Sequence, residues 1–401
     1  LATDVLSGER ADDGLYIPII KRIEAGLSSG RLLFVGDCKM SALATRAYMA
    51  ERQHAYLAPL PLTGGTADTM AQWIDEGIAK DREGALPPSM RVNPCGTAVL
   101  VAEGYERERP CALAGSAPSW SERVLVVRSP VHAAQQAVGL EKRLVQAEHK
   151  LAALTPARGR GKRQLTDEVT LVEAIARVLQ EQQVEGLLTV AWERQVEQQI
   201  HYVGRGRGSA KRAQQVREHI RYHITRIARE EDTIATLTAR FGWKAFVTNA
   251  TQQRLSLADA VLCYRNEYRI ERIFNRLKSR VHIAPLFVTR DDQIEGLTYL
   301  LTLGVRVLTV MEFVLRRSLQ NEQTHLPGLH PENGKKMTNT PTAERILKAF
   351  LEVSLSILQT ATGEEIRRWL TPLSALQQAI LSRLGLATSL YQQLGIQNSG
   401  N

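Results

Sequence analysis

Two short apolar runs, Arg31-Leu-Leu-Phe-Val-Gly36 and Ala55 to Leu60, constrain the fold of this chain more than any other feature. An apolar run without polar alternation marks a strand covered on both faces, and such strands belong to sheets flanked by helices. Ser41 to Arg52 lies between the runs with helical spacing. Upstream, Ala11-Asp-Asp opens a helix with apolar positions Leu15, Ile19, Ile20, Ile23 and Leu27, its acids suited to the first turn. Pro59, Pro61 and Gly64-Gly65 close the second run. Strand, helix and strand at this spacing predict a parallel βαβ unit and an α/β class.

The middle of the chain reads differently. Thr97 to Ala102 and Arg123 to Val127 suggest short strands separated by turns. Leu140, Leu144, Ala147, Leu151 and Leu154 recur at four-three spacing, the pattern of a helical seam. Val216, Ile220, Ile224, Ile227, Ile234 and Leu237 suggest a second long helix, with Leu187 to Val203 as extended chain between the two. Arg158 to Arg163 and Gly204 to Gly208 are Gly/Arg-rich turns. A further strand is expected at Lys244-Ala-Phe-Val-Thr248. The polar stretch 318–342 suits a linker, and Thr342 to Leu394 reads as a helical tail.

The net charge is +9, with 51 Lys and Arg against 42 Asp and Glu, which favours an anionic partner, most often nucleic acid. Cys38, Cys95, Cys111 and Cys263 form no CxxC pair, so neither a zinc pattern nor a disulfide framework is indicated and a reducing cytoplasm is expected. Leu297 to Val314 is the longest apolar stretch, but Thr298, Thr302, Arg306, Thr309 and Glu312 interrupt it, so a buried helix is expected and no membrane partner. His219 and His223 stand four apart without a metalloprotease glutamate between them and read as surface histidines.

The stretch Tyr264 to Lys278 concentrates the chemistry. As one helix it would align Tyr264, Glu267, Glu271, Asn275 and Lys278 on a stripe, embedded among Arg265, Arg269, Arg272, Arg276 and Arg280. Glutamates four apart repel by a few tenths of a kcal/mol, so packing gains nothing from them. Acid set in strong base suits a site that holds divalent cations while gripping a phosphate backbone. Asp37 ends the first apolar run, where ligands gather in open α/β sheets, although a lone aspartate there is more often a cap or turn residue.

Val35-Gly-Asp37-Cys-Lys-Met-Ser41, Lys244 to Asn249 and the Tyr264–Lys278 stretch together resemble DDE transposases of bacterial insertion sequences. The group of these enzymes that the chain resembles carries a Y-x2-R-x3-E-x6-K signature. Tyr264, Glu271 and Lys278 fit its spacing, while Glu267 fills the arginine slot, for which Arg265 or Arg269 would substitute. The resemblance implies a ribonuclease-H-like core in which Asp37 and Glu271 are catalytic metal ligands for two Mg²⁺ or Mn²⁺ ions. It implies DNA contacts at Tyr264, Arg265, Arg269, Arg272, Lys278 and Arg280, with Tyr264 free either to stack on a base or to pack. The first aspartate of the set is expected upstream of Leu1; Asp4, Asp12 and Asp13 read as turn and cap residues.

The expected organisation is a core from 1–60, a large mixed α/β insertion over 61–240, the rest of the core at 241–320, a linker at 321–341 and a helical region at 342–401. The expected partner is double-stranded DNA, as transposon ends and target, in a bacterial cytoplasm at the nucleoid, and a homodimer in the synaptic complex stays open. The expected function is metal-dependent phosphodiester cleavage and strand transfer at insertion-sequence ends, with this chain truncated and inactive as given. A non-catalytic DNA-binding relic and a ribonuclease-H-like nuclease are the alternatives.

Overall fold

The computed structural model describes residues 12–27, 31–61, 65–92, 96–113, 119–157, 159, 164–202, 214–266, 268–280, 287–333 and 336–395. The chain is a mixed α/β protein that divides into two compact units, Ala11–Glu267 and a second formed mainly by Tyr268–Asn401.

The first unit opens with a 3₁₀ turn and α1 (Tyr16–Gly26), then β1 (Leu33–Val35), α2 (Leu43–Glu51) and β2 (Ala55–Pro59). The predicted parallel βαβ unit is present, with Leu33 opposite Ala55 and Val35 opposite Leu57. Next come α3 (Gly65–Arg82), β3 (Pro88–Val92), β4 (Ala98–Cys111) and β5 (Trp120–Arg128). After them run α4 (Pro130–Leu154), α5 (Glu168–Glu181), β6 (Leu188–Tyr202), β7 (Gln214–Arg229), α6 (Glu231–Ala239), β8 (Trp243–Thr248) and α7 (Leu257–Arg265).

Six strands form one sheet in the order β1-β2-β8-β5-β4-β3, parallel only between β1 and β2. The strands expected inside an insertion therefore complete the same sheet as the βαβ unit. Strand alternation sends Tyr56, Val124, Val126 and Val247 to one face, where Met49 of α2 and Met70 and Trp73 of α3 cover them. Leu57, Leu125, Val127 and Phe246 face the other way, against Leu257, Ala260 and Val261 of α7.

The seam expected on α4 is present: Leu140, Leu144, Ala147 and Leu151 are buried against Leu171, Ile175 and Val178 of α5. Its expected helical partner is instead a strand. β7 pairs with β6 along a long antiparallel hairpin, and only Ile234 and Leu237 of that stripe are helical, on α6. Val216, Ile220 and Ile224 are spaced by four, which satisfies a strand as well as a helix. The three-residue step to Ile227 looked helical because a bulge lies there: Ala191 pairs with Arg226 and Trp192 with Ile224. Thr225 is the extra residue, and the bulge returns Ile227 to the face of Ile224.

The second unit holds α8 (Tyr268–Asn275), a π-helical turn (Arg276–Arg280), α9 (Asp291–Asn321), α10 (Ala343–Lys348), β9 (Leu355–Gln359), β10 (Glu365–Leu370), α11 (Ala375–Arg383) and α12 (Ser389–Gln392). The expected linker is packed chain: Leu326 bridges to Thr338, and Leu326 and Leu329 are buried with Leu315, Leu319, Ile346 and Ile380. The helical tail is likewise corrected, because β9 and β10 form an antiparallel hairpin. Leu355 and Ile357 alternate with serine, and the turn places Gly363 at φ +86°, a conformation glycine adopts without strain. The long apolar stretch is α9, but only 11% of its most apolar window is buried, so the expectation of a buried helix fails. By length and composition α9 could cross a membrane.

The β6–β7 ladder sets Glu197 directly opposite His219. Cysteines at these two positions are expected to form a disulfide on mild oxidation with the fold retained, read by peptide mapping. Failure to crosslink would contradict the strand assignment of Gln214–Arg229.

Candidate functional site

β1 delivers Asp37 through Gly36, whose amide donates to the Leu57 carbonyl at 3.2 Å and so continues the parallel ladder by one bond. A Cβ on Gly36 would lie 2.7 Å from Met40 Sδ, so glycine lets the turn close over itself. Asp37 Oδ1 accepts hydrogen bonds from the Tyr16 hydroxyl (2.6 Å) and from the amides of Lys39 (3.0 Å) and Met40 (3.4 Å). That is the turn-residue role in full. It uses one carboxylate oxygen only. Asp37 is exposed, and among the described residues Oδ2 has no partner.

The turn is anchored from beneath. The Ser41 carbonyl accepts from Arg46 Nε at 2.7 Å, and Arg46 Nη1 pairs with Glu122 on β5. Glu122 is fully buried and also accepts from the Tyr56 hydroxyl, from Arg109 Nε and Nη2 (3.1 and 3.0 Å) and from the Cys111 thiol (2.8 Å). Burial pushes its carboxyl pKa up, but Arg46 and the donated hydrogen bonds outweigh burial and hold it below the usual range. Burial, then the bond to that carboxylate, push the Cys111 thiol up to about 11, so this cysteine is an inert donor at neutral pH. On the other face of β5, the neighbouring Arg123 is also buried. It pairs with Glu106 at 2.6 Å and donates to the carbonyls of Ala250 and Leu255, fixing the loop that leads into α7.

The stretch Tyr264–Lys278 is divided. α7 ends at Arg265 with Asn266 as its C-cap, and α8 begins at Tyr268, so the expected single stripe is not formed by one continuous helix. Glu267 lies outside the described residues, as do Asp4 and Gly204 to Gly208. Tyr264 packs its ring against Phe246, centroids 4.7 Å apart, in the second core face. Arg265 donates to the Val101 carbonyl (2.7 Å) and the Ser129 hydroxyl (2.8 Å).

In the second unit, Arg272 and Arg276 on successive turns both pair with Glu312 of α9, Arg272 at 2.8 Å. Glu312 is buried and also takes the Ala343 amide at 2.6 Å and Arg316 at 3.4 Å. Arg276 is itself buried and reaches Glu344 at 2.7 Å. These bonds hold α8, on whose outer side Glu271 is exposed without a partner among the described residues. Lys278 is exposed in the π-helical turn, which also carries Arg280, and Arg269 lies on α8. A cleft of about 600 Å³ opens beside Glu312 and is lined by Arg272, Arg276, Arg316 and Asn339.

Asp37 belongs to the first unit and Glu271 to the second. Each offers carboxylate oxygen not consumed by protein contacts, the donor type that hard divalent cations take. Among the described residues no group of three or more His, Cys, Asp or Glu side chains is gathered as an ion site. The buried anchors Glu122, Arg123 and Glu312 were not foreseen. Their signals were an acid-base pair opening an apolar strand, and a lone acid inside an apolar helix, which needs a buried cation. The sequence matches no family model and no curated protein.

Removing one partner of a buried ion pair costs about 3–5 kcal/mol. Glu122→Ala and Glu312→Ala are therefore each expected to lower unfolding free energy by roughly that amount in denaturant titrations. Glu271→Ala, which loses no contact, is expected to stay within about 0.5 kcal/mol of the parent. Equal losses at all three sites would contradict this division of roles.

Proposed function

We propose that this chain is part of a DNA transposase with a ribonuclease-H-like core, which cuts phosphodiester bonds with divalent metal ions and uses Asp37 and Glu271 as metal ligands. The observation that carries the reading is the divided carboxylate of Asp37 at the carboxyl end of a parallel strand. Oδ1 is fixed by two backbone amides and Tyr16, and Oδ2 is left open to solvent. The resemblance of the Tyr264–Lys278 signature supports Glu271 as the second ligand, and its exposed, unpaired carboxylate suits that role.

Two Mg²⁺ or Mn²⁺ ions, when bound, would activate water or a 3′-hydroxyl and stabilise the leaving oxygen of an in-line displacement. The chain's own part is positional. Glu122 acts through Arg46 on the Ser41 carbonyl and steadies the Asp37 turn. Glu312 acts through Arg272 and Arg276 and steadies the helix of Glu271. Lys278, exposed and without a partner among the described residues, is the group best suited to a phosphate of duplex DNA. The net charge of +9 adds a general attraction for that partner. The resemblance asks for a third carboxylate, an aspartate on the first core strand.

The test uses duplex DNA containing the genomic sequence that flanks the coding region, with Mg²⁺. Binding is expected to weaken steeply with salt, and Lys278→Ala to reduce the salt slope by about one phosphate contact. Asp37→Asn and Glu271→Gln are expected to abolish cleavage and leave binding intact. Undiminished cleavage by both variants would remove both residues from the site. These cleavage outcomes are read in the full-length protein with its first aspartate; there, binding without cleavage would favour the non-catalytic DNA-binding reading, and no DNA binding would end both.

A further inference from the structure

The cleft beside Glu312 carries more positive charge than the fold consumes. Among the described residues its walls belong entirely to the second unit. Arg272 comes from α8, Arg276 from the π-helical turn, and Arg316 and Arg317 from α9. Glu312 is the one acid among the described residues that line it, and Glu344, which reaches Arg276 from α10, adds a second carboxylate. Four guanidinium groups against two carboxylates leave two positive charges uncompensated.

The oxygens of Glu312 are already spent. Oε1 takes Arg272, Arg276 and the Ala343 amide, and Oε2 takes Arg316. Arg276 is buried by these bonds, whereas the side chain of Arg272 stays 33% exposed. A guanidinium has five N–H donors in a rigid fork, and Arg272 gives Glu312 only one nitrogen. Arg317 is exposed, with its guanidinium carbon 6.0 Å from the centroid of the Phe313 ring.

These features select a ligand. Guanidinium forks match phosphate oxygens, and a surplus of two charges matches a phosphomonoester, which is close to a dianion at neutral pH. A volume of about 600 Å³ is that of a small-molecule site, not of a surface laid along a duplex. Phe313 and Ile273 give the cleft an apolar wall, and Gln320 and Asn339 add amide groups. Bare phosphate needs neither, but a nucleoside can stack on an aromatic ring and bond to amides. We propose that this cleft binds a small phosphomonoester of the mononucleotide class, its phosphate on the arginine forks and its base against Phe313. The site is separate from Asp37 and Glu271 and does not depend on whether the protein cuts DNA.

The test is calorimetric titration of the whole chain with AMP, cyclic AMP and adenosine. AMP is expected to bind about tenfold or more tightly than cyclic AMP, whose phosphodiester has a single charge, and than adenosine, which has none. Arg317→Ala, at an exposed position with no ion pair among the described residues, is expected to weaken AMP about tenfold with the melting temperature retained. Arg272→Lys keeps the charge beside Glu312 but loses the fork, and is expected to weaken AMP several-fold with the chain still folded. No AMP binding at millimolar concentration would overturn the proposal. So would equal binding of AMP and adenosine, or AMP binding indifferent to both variants. A duplex with 5′-terminal phosphates that displaces AMP more tightly than AMP itself binds would overturn it in favour of a strand end.

Discussion

The buried carboxylate of Glu122 is the constraint on which the first unit depends. It sits at the start of β5, in the middle of the sheet, where an unpaired charge would be untenable. Arg46, Tyr56, Arg109 and Cys111 together satisfy both of its oxygens, and they come from α2, β2 and β4. The carboxylate can be satisfied only when those elements are in register, so it specifies the arrangement as well as tolerating it. The next residue, Arg123, repeats the device on the opposite face by capturing the carbonyls that lead into α7. One dipeptide on one strand thereby fixes both layers of helices.

The second unit has its own hub. Glu312 gathers Arg272, Arg276, Arg316 and the Ala343 amide, tying α8 and α10 to α9. In both units the buried acid acts on a candidate site from below, and the candidate ligand stands outside the network. Glu271 makes no contact among the described residues, Asp37 spends one oxygen on its own turn, and both keep carboxylate oxygen free. Such a division lets a rigid support hold carboxylate oxygens that the fold itself does not use.

The βαβ unit was legible because its strands are continuous apolar runs, and α4 because its leucines follow a helical period. The stripe from Val216 to Ile227 reads as a helix in the sequence for a definite reason. A four-residue spacing suits both periods, and the bulge at Thr225 added the three-residue step that looked helical. The β9–β10 hairpin was missed because its alternation is short and its charged residues resemble helix surface. At the candidate site, Asp37 and Glu271 were visible as residue types, and the Y-E-K spacing marked their neighbourhood. What spacing could not show was occupation. Tyr264 is spent on Phe246, Arg265 on Val101 and Ser129, and Arg272 on Glu312, whereas Lys278 stays exposed.

The central proposal is that Asp37 and Glu271 are each metal ligands. Fe²⁺ exchanged for Mg²⁺, with ascorbate and peroxide, generates radicals that cut the polypeptide beside the bound ion. In the DNA-bound protein cuts are expected near Asp37 and near Glu271, both suppressed by excess Mg²⁺, the first lost in Asp37→Asn and the second in Glu271→Gln. Cutting near only one of them, or near neither, would contradict it.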